Sequence, residues 1–229
     1  INYYPINDEL AEEGTVSLAL GLGKYIVDGG LTLRVCPYHP DKVLQTSEME
    51  MALRETQTRF YALDLKNMGQ NFSLDDGFNL LKLPVKEAEN DGSLNYIAST
   101  YDPYDMVIRD GIYPGGRKVI TFANILQHDV FPLARILQLV QKYGQGEMRR
   151  PVEIEFAVNL NAAEKKGVFY LLQIRPMVDM KADLNEDLDA IPEDQLLLKS
   201  VNSLGQGIMD DIQDVIYVTV SYTHLTLPT

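Results

Sequence analysis

Val152, Ile154, Phe156 and Val158 alternate with Glu153, Glu155 and Ala157. That two-residue period belongs to a strand with one face buried and the other in water. A polar stretch with Asn159, Asn161, Lys165, Lys166 and Gly167 follows, and then a second strand-like run, Val168–Arg175. Two such runs joined by a polar loop predict an antiparallel hairpin. Glu153 and Glu155 project from one face of the first strand, as Gln173 and Arg175 do from one face of the second. With partner numbers summing to about 328, Glu155 lies opposite Gln173 and Glu153 opposite Arg175. One face then gathers carboxylates, an amide oxygen and a guanidinium. Oxygen donors suit Mg²⁺, which completes its shell with phosphate and water, and the arginine fork suits a phosphate. The same pattern also fits a hairpin whose polar face meets only water, where Glu–Arg pairs are common and energetically minor.

The segments before the hairpin alternate between strand and helix signals. Gly14–Leu20 reads as a short buried strand, Gly21–Val27 as a helical turn and Asp28-Gly29-Gly30 as a chain reversal. Leu31–Val35, Arg59–Leu65 and Phe78–Val85 are strand candidates, with a polar loop over Lys66–Gly77. Asn95–Asp110 suits two short strands about the Asp102-Pro103 turn. The strongest helix signal covers Asp129–Tyr143, where Leu133, Ile136, Leu137 and Val140 form one apolar stripe. Asp129 is placed to cap that helix, Pro132 suits its first turn and Gly144 its end. Strands, then a helix, then a hairpin make an α+β pattern.

Composition narrows the function. Hydrophobic residues form 45% of the 229 residues, enough for a core, and the net charge is −13. A chain this acidic is expected to bind neither nucleic acid nor an anionic membrane, both of which need neutralising Lys and Arg. A nucleotide remains compatible, given a metal ion and a few local cations. The single cysteine, Cys36, excludes an intrachain disulfide and suits a cytoplasmic setting. No apolar run is long enough for a membrane span.

Other candidates are weaker. Cys36 and His39, in CPYHP, have a spacing open to two metal ligands, but no second pair accompanies them. His128 fits either a phosphate acceptor or a surface or capping residue. Gly21-Leu22-Gly23 fits a phosphate loop or a plain backbone turn. Arg149 and Arg150 form a short, solvated basic patch.

The wording around the hairpin resembles a known family. ILQLVQKYG, then PVEIEFAVN, then FYLLQIRPM is similar to the end of the ATP-binding domain of phosphoenolpyruvate synthase and pyruvate phosphate dikinase. SLALGLGKYIVDGG resembles the same family's "GLGExVVxG" segment, with Lys24 standing where many relatives carry an acid. The resemblance covers most of Gly14–Met177. It implies the C-terminal portion of an ATP-grasp-like domain, a mixed or antiparallel sheet with packed helices. It further implies that Glu155 and Gln173 are metal ligands, and that Glu155, Gln173 and Arg175 contact the ATP phosphates. Arg175 would also neutralise charge in the transfer step. The implied cofactors are ATP and Mg²⁺, and the implied partners are pyruvate and a phosphohistidine domain. The implied reaction carries a phosphoryl group from ATP to that histidine and on to pyruvate. Related dikinases acting on water, glucan or an antibiotic hydroxyl share this domain, and a non-catalytic nucleotide-binding module is a further alternative.

The expected organisation is a partial ATP-binding domain over 1–178, an acidic linker over 179–200 and the start of a further segment over 201–219. Asp179–Asp194 holds seven acids against the one lysine Lys181. The last ten residues, Val220–Thr229, which include His224, resemble the read-through of a sequencing-library adapter and are expected to have no role. The family's other ATP-binding groups are expected before Ile1 and its histidine and pyruvate domains after this segment. The chain alone is therefore expected to be inactive.

Overall fold

The computed structural model describes residues 5–6, 8–65, 77–90, 92–161 and 166–177, with 191–192, 195–196 and 212–214 beyond them. The chain divides into two units, Ile1–Val178 and Asp179–Thr229, and every strand and helix below belongs to the first. The expected loop at 66–76, most of the acidic linker, the 201–219 segment and the 220–229 tail lie outside the described residues.

Each strand predicted before the final hairpin forms, trimmed to the residues that find a partner. Val16–Leu18 (β1) pairs antiparallel with Leu33–Val35 (β2), with the one-turn helix Lys24–Val27 (α1) between them. Leu18, Leu33 and Val35 are buried, whereas Arg34 points outward, as period-two alternation requires. A helix over Met49–Glu55 (α2), for which the sequence carries little apolar periodicity, precedes Arg59–Leu63 (β3). β3 pairs antiparallel with Leu80–Pro84 (β4). Between α2 and β3 the buried Gln57 amide receives Leu20 N–H at 2.7 Å and donates to the Leu20 and Arg59 carbonyls, each at 2.9 Å. One side chain thereby satisfies backbone groups that no ladder reaches.

Ala98–Asp102 (β5) and Val107–Asp110 (β6) form the hairpin expected around Pro103. A third strand, Arg117–Ile120 (β7), pairs with the other edge of β5. It was not anticipated, because its outer half is charged and only Val119 and Ile120 are buried. The one-turn helix Ala123–Leu126 (α3) and the helix Leu133–Met148 (α4) follow.

The long helix differs from expectation at both ends. It starts at Leu133 rather than Asp129, with Pro132 at the N-terminal boundary and no side-chain cap. Asp129 instead adopts a left-handed backbone, φ 50°. Gly144 does not stop the helix, which continues to Met148 and ends on Arg149 at φ 51°. A Cβ on Gly144 would stand 2.4 Å from Ile174 Cδ1 and 3.5 Å from Val152 Cγ2. The glycine therefore serves the approach of α4 to the hairpin, at about 1 kcal/mol of helix propensity. The predicted apolar stripe faces inward, with Leu133 and Leu137 buried and Ile136 packed against the core.

The hairpin itself is Val152–Asn161 (β8) and Lys166–Pro176 (β9). Both strands run past their predicted ends, since Leu160 pairs with Gly167, and Phe131 stacks where a Gly167 side chain would stand, 2.6 Å away. Among the described residues all strand pairs are antiparallel and fall into four small sheets. With the helices they make an α+β domain. Its core gathers Leu18, Leu33, Phe60, Leu94, Ile120 and Leu137, and the inner hairpin residues Phe156, Val158, Leu160 and Phe169 pack against it.

Candidate functional site

The register of the hairpin brings the predicted residues together. Glu153 pairs with Arg175, Ile154 with Ile174 and Glu155 with Gln173. Ile174 lies against Gly144 of α4 and its partner Ile154 shares that face of the hairpin, so the four polar residues lie on the opposite face, all exposed. Arg175 Nε donates to Glu153 Oε2 at 3.0 Å, and its Nη2 lies 2.9 Å from the same oxygen as an ion pair. Both side chains are 53% exposed, so the contact orients the guanidinium more than it stabilises the fold. Directly beside this pair, Glu155 and Gln173 have no side-chain partner among the described residues.

Immediately after Glu155 the ladder changes step. Glu155 pairs with Gln173, but Phe156 pairs with Leu171, leaving Leu172 as an extra residue on β9. This bulge reverses the parity of the strand. Phe169 packs inward, its ring stacked on Phe156 at 5.3 Å between centroids, while Gln173 and Arg175 face outward. A regular strand would place all these odd-numbered residues on one face. Leu172 itself is 63% exposed. Reading 168–175 as one regular strand hides the bulge, and the adjacent Leu171-Leu172 pair is its only trace in the sequence.

The donor set fits an open cation site rather than a closed cage. The described residues contain no group of three or more His, Cys, Asp or Glu side chains that could hold a metal ion. Glu155 and Gln173 present two oxygen-bearing side chains at adjacent positions on an open face. Mg²⁺ commonly takes one or two protein carboxylates and leaves the rest of its shell to water and phosphate. The remaining N–H groups of Arg175 suit an oxyanion on the same face.

The other candidate residues stand elsewhere. Cys36 is buried, and Glu13 Oε2 receives its thiol at 3.7 Å and lies 3.3 Å from His39 Nε2. Burial raises the Cys36 pKa, which disfavours the thiolate a soft metal would need. His128 is exposed, with Nε2 3.0 Å from Asp110 Oδ2. At Gly21, φ is +91° and a Cβ would meet the Tyr61 carbonyl at 2.6 Å. Leu22 N–H donates to that same carbonyl, so this glycine pair forms a turn docked on β3. Lys24 at the start of α1 bonds Asp28 at 2.9 Å, and this contact, with the Tyr61 hydroxyl, holds the Asp28 pKa below the usual carboxylate value. Arg149 and Arg150 are exposed after α4.

No protein-family model, curated protein or solved structure matches this chain. Among the described residues, no helix is long and apolar enough to cross a membrane.

Proposed function

We propose that the outer face of the hairpin is the metal- and phosphate-contacting edge of an ATP site in a phosphoenolpyruvate synthase-like phosphotransferase. In this reading the α+β unit is the C-terminal part of an ATP-grasp-like domain working in the cytoplasm. The phosphoryl group passes from ATP to a histidine on a mobile domain and then to pyruvate. The observation that carries the reading is the register, with Glu155 opposite Gln173 and Glu153 opposite Arg175 on one exposed face.

Each residue has a role that its surroundings support. Glu155 and Gln173 would hold Mg²⁺, which when bound offsets the negative charge of the nucleotide phosphates. Arg175, oriented by Glu153, would direct its free N–H donors at a phosphate oxygen. Phosphoryl transfer depends mainly on positioning and charge neutralisation, so an open face of this composition suffices when a second wall closes over it.

The test is ATP-dependent histidine phosphorylation in a complete synthase-like protein carrying this segment. Glu155→Ala is expected to lower it by about a hundredfold or more. Undiminished phosphorylation would remove Glu155 from the metal site. Nucleotide binding with no phosphohistidine in the unmodified protein would instead favour a non-catalytic module.

A further inference from the structure

A second polar site lies away from the hairpin. A cleft of about 330 Å³ is bordered by the strand end at Pro84, the 3₁₀ turn Val85–Glu89 and the start of β7. Its volume is within the range of about 300–1,000 Å³ common for small-molecule sites. Gln57, Thr58, Lys86, Glu89, Arg117 and Lys118 supply its polar side chains, and the Gln57 amide is taken up by the Leu20 and Arg59 backbone. In a chain of net charge −13, these walls carry three cations and one carboxylate.

The three cations are not equivalent. The Lys118 side chain is only 7% exposed, and its ammonium donates to the Tyr113 and Gly115 carbonyls at 2.6 and 2.9 Å. Glu89 Oε1 lies 3.6 Å from it. Lys118 therefore fixes the floor of the cleft. Arg117 is exposed and anchored through one N–H group, from Nη2 to the Leu53 carbonyl of α2 at 2.8 Å. That bond steadies the guanidinium and leaves its other donors for a ligand. Lys86 is exposed and has no side-chain partner among the described residues. The net excess of two positive charges complements a phosphate group, which carries about −1.5 to −2 at neutral pH, better than a single carboxylate. An arginine fork beside a lysine and a threonine hydroxyl is a suitable donor set for its oxygens.

We propose that this cleft binds the phosphate group of a small phosphorylated metabolite, with Arg117 and Lys86 as its principal contacts. None of its lining residues is on β8 or β9, so this site and the nucleotide reading of the hairpin stand or fall separately.

The experiment is a titration of the isotopically labelled chain with inorganic phosphate at constant ionic strength, followed by amide NMR. Saturable shifts are expected at Lys86, Gly116 and Arg117. The Lys86→Gln/Arg117→Gln double variant is expected to weaken binding about tenfold or more, and Glu89→Gln to strengthen it. Acetate at equal ionic strength is expected to bind more weakly. If the double variant loses its fold, Lys86→Gln alone decides, since that side chain has no hydrogen bond or ion pair among the described residues. Shifts no larger than those from chloride, unchanged affinity in the variant, or acetate binding as tightly as phosphate would each overturn the assignment.

Discussion

Arg175 and Glu153 face each other across the β8–β9 ladder, with two guanidinium nitrogens, at 3.0 and 2.9 Å, on one carboxylate oxygen. The contact ties the two strands together beside Glu155 and Gln173 and restricts where the arginine can point. Because both side chains are half exposed, its value lies in orientation.

A double-mutant cycle with Glu153→Gln and Arg175→Gln is therefore expected to give a stability coupling of about 0.2–1 kcal/mol. Urea unfolding of the four variants measures it. A coupling above about 2 kcal/mol would mean that the pair is structural rather than orienting.

Deleting Leu172 should close the bulge without turning any neighbour to the other face. Leu171 already pairs with Phe156 and Gln173 with Glu155, so joining them directly leaves a regular strand with Phe169 inside and Gln173 and Arg175 outside. The deletion is therefore expected to cost no more than about 1 kcal/mol, like Leu172→Ala at this largely exposed position. Urea unfolding of the two variants measures this. A loss of about 3 kcal/mol or more in the deletion, comparable to losing a buried phenyl ring, would contradict the register.

Gly21 meets both conditions under which a side chain is excluded, a positive φ and a backbone oxygen in the place of Cβ. Gly21→Ala should destabilise the chain by about 1–3 kcal/mol. Chemical denaturation reads this directly, and a neutral result would show that the turn can move off β3.

Burial raises the Cys36 thiol pKa above its ordinary value of 9.0. The folded protein thus favours the neutral thiol. The associated stability is fully present below pH 9 and is lost as pH climbs through the raised folded value. Alkylation by iodoacetamide at pH 8 should be slower in the native chain than in urea. Equal rates would show that the thiol is neither buried nor perturbed.

Much of this architecture was legible in the residues. Strand alternation put Glu153 with Glu155 and Gln173 with Arg175 on shared faces, and the register assumed for them, with partner numbers summing to about 328, is the one found. The stripe Leu133, Ile136, Leu137 and Val140 located the long helix. Its boundaries were less legible, since Gly144 carries a stop signal that its contact with Ile174 overrides. β7 escaped notice because half of it is charged, and its pairing depends on β5, which no local pattern reveals.

By itself the sequence determined the two-residue and 3.6-residue periods, and with them which side chains could share a face. Those are local consequences of backbone geometry. Tertiary structure alone decided where the periods break. Phe169 stacks on Phe156 against the core while Gln173 and Arg175 face outward, and the two placements are reconciled by admitting Leu172 as a bulge. Tertiary contact also brought Lys86 and Arg117, separated in sequence and on different elements, to one cleft. Such placements arise from packing between segments, a quantity that no periodicity within one segment encodes.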